Sequence, residues 1–304
     1  MSWQRPILNR WLRLTERTSL ARAVEPEKLR RAFELKAKLF FHGPRGMEVT
    51  EETLGDMDGL RVGGPWVESG NVILYFHGGG YIFGSPNVYK SMLANLSKRT
   101  GMDAVLPVYP LSPEHPYPAA LNAARAAYDA MLAQGYRPEQ IVMGGDSAGG
   151  NLVLALLLQL LRDAAPVPAG VFAFSPITDL TFSGASASVN AARDVVLPIE
   201  RAADMAEMFL AGQAPTDPMI SPVFADFKGA PPVWMCVGDT EILLDDTRRV
   251  VQRMQAQDVA VEMHIERDLP HVWPLFHNLL PEAGATLDQL AGWLTQRLNQ
   301  ANDS

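Results

Sequence analysis

The first place where this sequence could do chemistry is a serine crowded by glycines. In Val142-Met143-Gly144-Gly145-Asp146-Ser147-Ala148-Gly149-Gly150-Asn151 an apolar run ends, the chain turns, and a long apolar segment begins. Gly145, Ser147 and Gly149 fit G-x-S-x-G, the pattern that exposes a serine hydroxyl on a strained strand-to-helix elbow. Glycines are required because side chains would clash where the backbone doubles back and the following helix packs close. Ser147 is the candidate nucleophile for attack on a carbonyl carbon.

Such an attack puts negative charge on the carbonyl oxygen, which needs main-chain donors aimed at it. His77-Gly78-Gly79-Gly80 follows the apolar run of residues 71–76 and matches a motif whose N–H groups supply them. His77 itself is expected to brace this loop.

A serine hydroxyl is a weak nucleophile at neutral pH unless a positioned base takes its proton and a carboxylate orients that base. Of the six histidines, His42, His115, His264 and His277 sit in a turn, a Pro-rich loop, a strand and a helix, and read as structural. His271 lies in a loop after the last predicted strand, where the chain order serine, acid, histidine puts the base. The acid then belongs between them, and residues 233–246 offer Asp239, Glu241, Asp245 and Asp246 after an apolar strand. A helix N-terminus attracts acids for its dipole alone, so most of the four have a bland role.

The elements that must hold these residues follow from the patterning. A chain of 304 residues, 47% of them hydrophobic, buries the core of one large α/β domain. Its net charge of -8 opposes a nucleic-acid partner. The single cysteine, Cys236, falls in an apolar run and reads as a buried thiol. No apolar segment with a cleavage site is visible near the N-terminus, so a reducing, cytoplasmic setting is expected.

Residues 1–45 read as helical, with Trp3, Ile7, Leu8, Trp11, Leu12 and Leu14 near one face and Arg5, Arg10, Arg13 and Arg17 largely off it. That pattern suits a membrane surface or packing over the chain's own domain, and packing is the expectation. Strands are expected at 47–54 and 60–67, then alternation: strands at 71–76, 103–108, 140–145, 170–174, 233–237 and 261–265, with helices at 118–134, 147–162, 244–257 and 282–299. This implies a mostly parallel sheet covered on both faces. Residues 152–161 are almost wholly apolar but far short of a membrane span, so no stable membrane insertion is expected. Residues 181–218 break the alternation with a helix near 199–211 and read as an insertion forming a cap with the N-terminal helices. The organisation expected is thus a cap segment at 1–45 and a main domain at 46–304 carrying that insertion.

Taken together, HGGG, GDSAGG, their spacing, the Tyr109-Pro110-Leu111-Ser112-Pro113-Glu114-His115-Pro116 loop and the late histidine resemble the bacterial hormone-sensitive-lipase-like esterases, and within them esterases and monoterpene ε-lactone hydrolases. The likeness covers most of the chain. It implies the α/β-hydrolase fold with a helical cap and a serine esterase acting on short-chain esters or lactones through an acyl-enzyme. Residue by residue it implies Ser147 as nucleophile, His271 as base, and the N–H groups of Gly78, Gly79 and Ala148 as oxyanion hole. Alignment with the family's Asp-Pro-Leu-x-Asp stretch through Leu243 puts Glu241 at the acid position and Asp245 at the second aspartate. The chain departs from the family at Pro110, where an arginine is usual, and at Glu241-Ile242-Leu243. No cofactor or metal is implied, and the partner is a small ester, with a homodimer through edge strands as the assembly the resemblance suggests. The competing reading is a non-catalytic small-molecule receptor on the same scaffold.

Overall fold

The computed structural model describes residues 2–23 and 25–302. Eight strands form one sheet in the order β1-β2-β4-β3-β5-β6-β7-β8. They are β1 (Glu48–Leu54), β2 (Met57–Gly63), β3 (Val72–Phe76), β4 (Asp103–Pro107), β5 (Ile141–Asp146), β6 (Gly170–Phe174), β7 (Val233–Gly238) and β8 (Val261–Glu266). β2 runs antiparallel to β1 and β4, and every other neighbouring pair is parallel. The second strand lies about three residues earlier than the sequence pattern suggested. Leu54 pairs with Met57, closing the β1–β2 hairpin in two residues, and Gly64-Pro65 ends the run because proline has no N–H for the ladder.

The central strands β3, β5, β6 and β7 are buried at every residue, as both-face burial of a parallel sheet requires. Alternate side chains feed two cores. Leu74, Met143, Val171 and Met235 face α5 (Ala119–Ala133), α6 (Ser147–Arg162) and α9 (Leu244–Gln255). Ile73, Val142, Phe172 and Trp234 face α4 (Pro86–Thr100) and α10 (Pro281–Asn302) on the other side. Sequence reading had assigned no helix at α4, although Pro86 marks its start and Gly101, at φ 68°, its left-handed C-terminal cap.

Three helices precede the sheet: α1 (Gln4–Leu14), α2 (Glu16–Arg22) and α3 (Pro26–Phe40). Between β6 and β7 the insertion supplies α7 (Ala185–Val189) and α8 (Ile199–Leu210). Leu8 and Leu12 of α1 join the core beneath, but Trp3, Ile7 and Leu14 remain exposed, so the expected packing face is only partly used. No described helix is long and apolar enough to cross a membrane.

Candidate active site

Strand β5 hands directly to α6 at Ser147, which holds φ 52°, a left-handed conformation that a non-glycine residue adopts only under local compulsion. The flanking glycines make the compulsion bearable. A Cβ on Gly145 would lie 2.2 Å from the Gly149 carbonyl oxygen, and one on Gly149 would lie 2.0 Å from that of Phe76. The turn thus presses α6 onto the end of β3 and leaves the Ser147 hydroxyl facing a cavity of about 150 Å³. Ser147, Ala148, Gly79, Gly80 and His271 all line that cavity.

His271 Nδ1 lies 2.6 Å from Glu241 Oε2, with both side chains buried. A carboxylate can only accept, so Nδ1 carries the proton and Nε2 is left free to accept one. Among the described residues neither Nε2 nor the Ser147 hydroxyl has a protein hydrogen-bond partner. Both are open to the cavity, a geometry that ordinarily tightens when substrate binds. Burial works to lower the His271 pKa, but the charge and hydrogen bond of Glu241, with Asp194 and Asp146 behind them, outweigh it, and the net shift is upward.

Glu241 is itself held from two sides. Its Oε1 accepts from the Gly238 N–H at 2.6 Å and from the Ser175 hydroxyl at 2.8 Å. Of the four carboxylates that the sequence left in contention, it alone reaches the imidazole. Asp239 Oδ1 accepts from the Asp268 N–H at 2.7 Å, bracing the loop that carries His271. Asp245 Oδ2 accepts from the Ser186 N–H at 2.8 Å, tying α9 to the insertion. Asp246 Oδ2 accepts from the N–H groups of Thr178 and Asp179 at 2.7 and 2.9 Å.

One expected donor is corrected. The Gly78 N–H is spent on Asp146 Oδ1 at 2.8 Å, so it cannot also meet an oxyanion in the cavity. A Cβ at Gly78 would lie 2.1 Å from Asp146 Oδ2, which is why this position must be glycine even though it faces away from the cavity wall. The next two glycines, Gly79 at φ 122° and Gly80 at φ 61°, line the cavity, and neither N–H has a protein acceptor among the described residues. Ala148 stands in the first turn of α6, where N–H groups have no acceptor within the helix.

Asp146 also accepts from Tyr75 and Tyr89 at 2.8 and 3.0 Å, and burial pushes its carboxyl up to about 6 against the pull of these bonds. His77 stacks on Tyr109 at 4.4 Å, and burial lowers it to about 4, so it braces the loop as a neutral ring.

Sequence reading missed the supports of the acid loop. Asp194, in the insertion, accepts from the Ile242 N–H at 2.9 Å, and Asn190 donates to the Glu241 carbonyl oxygen at 2.8 Å. Ser175, directly after β6, was findable as a polar residue at the carboxyl end of the strand beside β7. The roof of the cavity comes from Trp11, Leu20 and Phe33 of the N-terminal helices and from Phe182, Val196 and Met205 of the insertion. Side chains of the N-terminal helices and of the insertion thus line one apolar chamber together with Ser147.

This arrangement has close counterparts. A family profile described as the α/β hydrolase fold matches residues 73–275. An esterase of Acinetobacter venetianus is 33% identical over 294 residues, 96% of each chain, and an acetyl-hydrolase of Streptomyces hygroscopicus is 37% identical over 231 residues, 76% of this chain and 77% of that one. Among solved structures, an esterase from the bacterial hormone-sensitive lipase family superposes with a TM-score of 0.92 at 31% identity, covering 98% of this chain and 99% of that one. EstE5, in a crystal soaked with p-nitrophenyl butyrate, superposes with a TM-score of 0.93 at 33% identity, covering 98% and 100%. The chain belongs to the α/β-hydrolase fold family, among its bacterial hormone-sensitive-lipase-like esterases.

Proposed function

We propose that the protein is a serine carboxylesterase that hydrolyses short-chain esters, and lactones of similar size, through an acyl-enzyme. The observation that carries this reading is the 2.6 Å pair of Glu241 and His271, whose imidazole lines the same cavity as Ser147. In the reaction His271 Nε2 takes the Ser147 proton as Oγ attacks the ester carbon. The N–H groups of Gly79, Gly80 and Ala148 meet the oxyanion, each contributing on the order of 100- to 1000-fold in rate. The imidazolium, stabilised by Glu241, protonates the leaving alcohol. A water then gives its proton to His271 and attacks the acyl carbon, and collapse returns the proton to Ser147 as the acid departs. A lactone follows the same steps with its alcohol tethered to the acyl chain. A cytoplasmic setting and a homodimer paired along the open edge of β8 complete the proposal.

A small apolar chamber favours short acyl groups, because a long chain outruns its volume of about 150 Å³. The test is turnover across p-nitrophenyl esters of increasing acyl length and lactones of increasing ring size, with phenylmethylsulfonyl fluoride as a covalent probe of Ser147. Butyrate to octanoate esters are expected to turn over fastest, with one sulfonyl group added and activity lost. Faster hydrolysis of emulsified long-chain triglyceride, or full activity after complete sulfonylation, overturns the reading.

A further inference from the structure

α1 has two stripes. Leu8, Asn9 and Leu12 are buried against the domain, whereas Trp3, Ile7 and Leu14 are 73, 60 and 66% exposed. Their spacing puts these three on one helix face, with Arg10 among them. α3 repeats the arrangement: Leu29 and Ala37 are buried, and Leu35 and Leu39 are 61 and 62% exposed with Lys38 beside them. The helices meet where Trp11 contacts Phe40 edge to face at 5.3 Å. Of the ten large apolar side chains exposed among the described residues, five belong to these outer faces: Trp3 at the N-cap of α1, Ile7, Leu14, Leu35 and Leu39. An apolar concentration of this kind marks an interaction surface rather than ordinary scatter.

Charge identifies the partner. Residues 1–40 hold ten of the 26 Lys and Arg but only four of the 34 Asp and Glu, in a chain of net charge -8. α1 has no acidic residue, and Arg10 and Lys38 have no ion-pair partner among the described residues. Aliphatic and Trp side chains interleaved with unpaired cations suit a layer whose surface is anionic and whose interior is hydrocarbon. A symmetric dimer through this face would set two basic surfaces against each other.

We propose that the outer face of α1 and α3 docks reversibly on anionic phospholipid bilayers. The inner side chains of the same helices, Trp11, Phe33, Ala37 and Phe40, line the cavity over Ser147. An ester dissolved in the lipid would therefore reach the chamber through the docked cap without first dispersing in water. Docking is peripheral, and the chamber still sets which chain lengths are cleaved.

The test is co-sedimentation of the full chain with vesicles of phosphatidylcholine alone or with about one-third phosphatidylglycerol, comparing wild type with Arg10→Glu/Lys38→Glu and Ile7→Ser/Leu39→Ser. Binding is expected only to the anionic vesicles, weakened about tenfold or more by either double variant and by high salt. Turnover of dissolved p-nitrophenyl butyrate should stay at the wild-type value and serves as the folding control. Absence of binding to anionic vesicles, equal binding to neutral ones, or unchanged binding by the folded variants overturns the proposal. So does light scattering that shows a wild-type dimer made monomeric by the same substitutions, since a second copy would then occupy the face.

Discussion

Gly78 donates its main-chain N–H to Oδ1 of Asp146 at 2.8 Å, tying the glycine loop to the residue directly before Ser147. The same carboxylate holds the hydroxyls of Tyr75 and Tyr89, so three buried donors from β3, the glycine loop and α4 converge on one side chain at the elbow. The glycine loop and Ser147 are thereby fixed relative to each other by a single buried carboxylate. Removing its oxygens with Asp146→Ala orphans all three donors at about 1–3 kcal/mol each. Urea unfolding should register a loss of several kcal/mol, and kcat for p-nitrophenyl butyrate should fall more than tenfold with KM little changed, because the loop stabilises charge present only in the transition state. Asp146→Asn, which keeps one carbonyl oxygen, should fall between. Wild-type kcat in folded Asp146→Ala would show that the loop holds its position without this tether.

Ser147→Ala should keep the fold and lower ester hydrolysis by several orders of magnitude, since nucleophile and base act as a unit. The measurement is turnover by purified protein alongside mass spectrometry after phenylmethylsulfonyl fluoride. Wild type should gain one adduct and the variant none. Near wild-type turnover in the variant would move the nucleophile elsewhere.

The residues of the candidate site were legible in the sequence where chemistry forces residue type. Gly79, Gly145 and Gly149 are dictated by main-chain oxygens that would lie about 2 Å from any added Cβ, so the glycines of both motifs stand out. The placing of His271 beside the acid loop was legible from chain order. The donor assignment within HGGG was not, because it depends on a side chain nearly seventy residues away capturing Gly78 rather than leaving it free. Asp194 and Asn190 were equally hidden, since their partners are main-chain groups of the acid loop brought near only by the folded insertion. α4 was legible but unread, and β2 was displaced because hairpin register, set by the tight turn after Leu54, overrides a loose apolar pattern.

Asp246 gives the stability a pH dependence. Burial pushes its carboxyl up to about 7 in the fold, against an ordinary value of 3.8, despite the two N–H groups it accepts. Between those values the folded state holds a proton that the unfolded state has lost, so stability falls as pH rises through the window. At about 1.4 kcal/mol per unit the effect is a few kcal/mol. Asp246→Asn has no such proton to lose and keeps an acceptor for Thr178 and Asp179. Urea midpoints at pH 5 and pH 8 should therefore show the variant gaining on wild type at the higher pH. Parallel profiles for the two proteins would remove Asp246 as the source.

Glu241 and Asp245 are the pair whose roles a substitution separates most cleanly. Glu241 Oε2 contacts His271 Nδ1 at 2.6 Å, and Asp245 instead caps the Ser186 N–H at 2.8 Å. Glu241→Gln keeps the shape but removes the charge that stabilises the imidazolium, so kcat should fall about 100-fold or more. The charge also raises the His271 pKa against burial, so without it the residual activity should persist to lower pH than in wild type. That shift of the acidic limb distinguishes loss of the orienting carboxylate from general damage, which would lower the rate at every pH equally. Asp245→Asn leaves His271 untouched. It should keep the wild-type pH profile while lowering the unfolding midpoint, through its lost ion pair with Arg248 at 3.5 Å and weakened cap on the insertion. If Asp245→Asn abolishes turnover in a folded protein while Glu241→Gln stays active, the second aspartate is the orienting acid and the assignment of Glu241 falls.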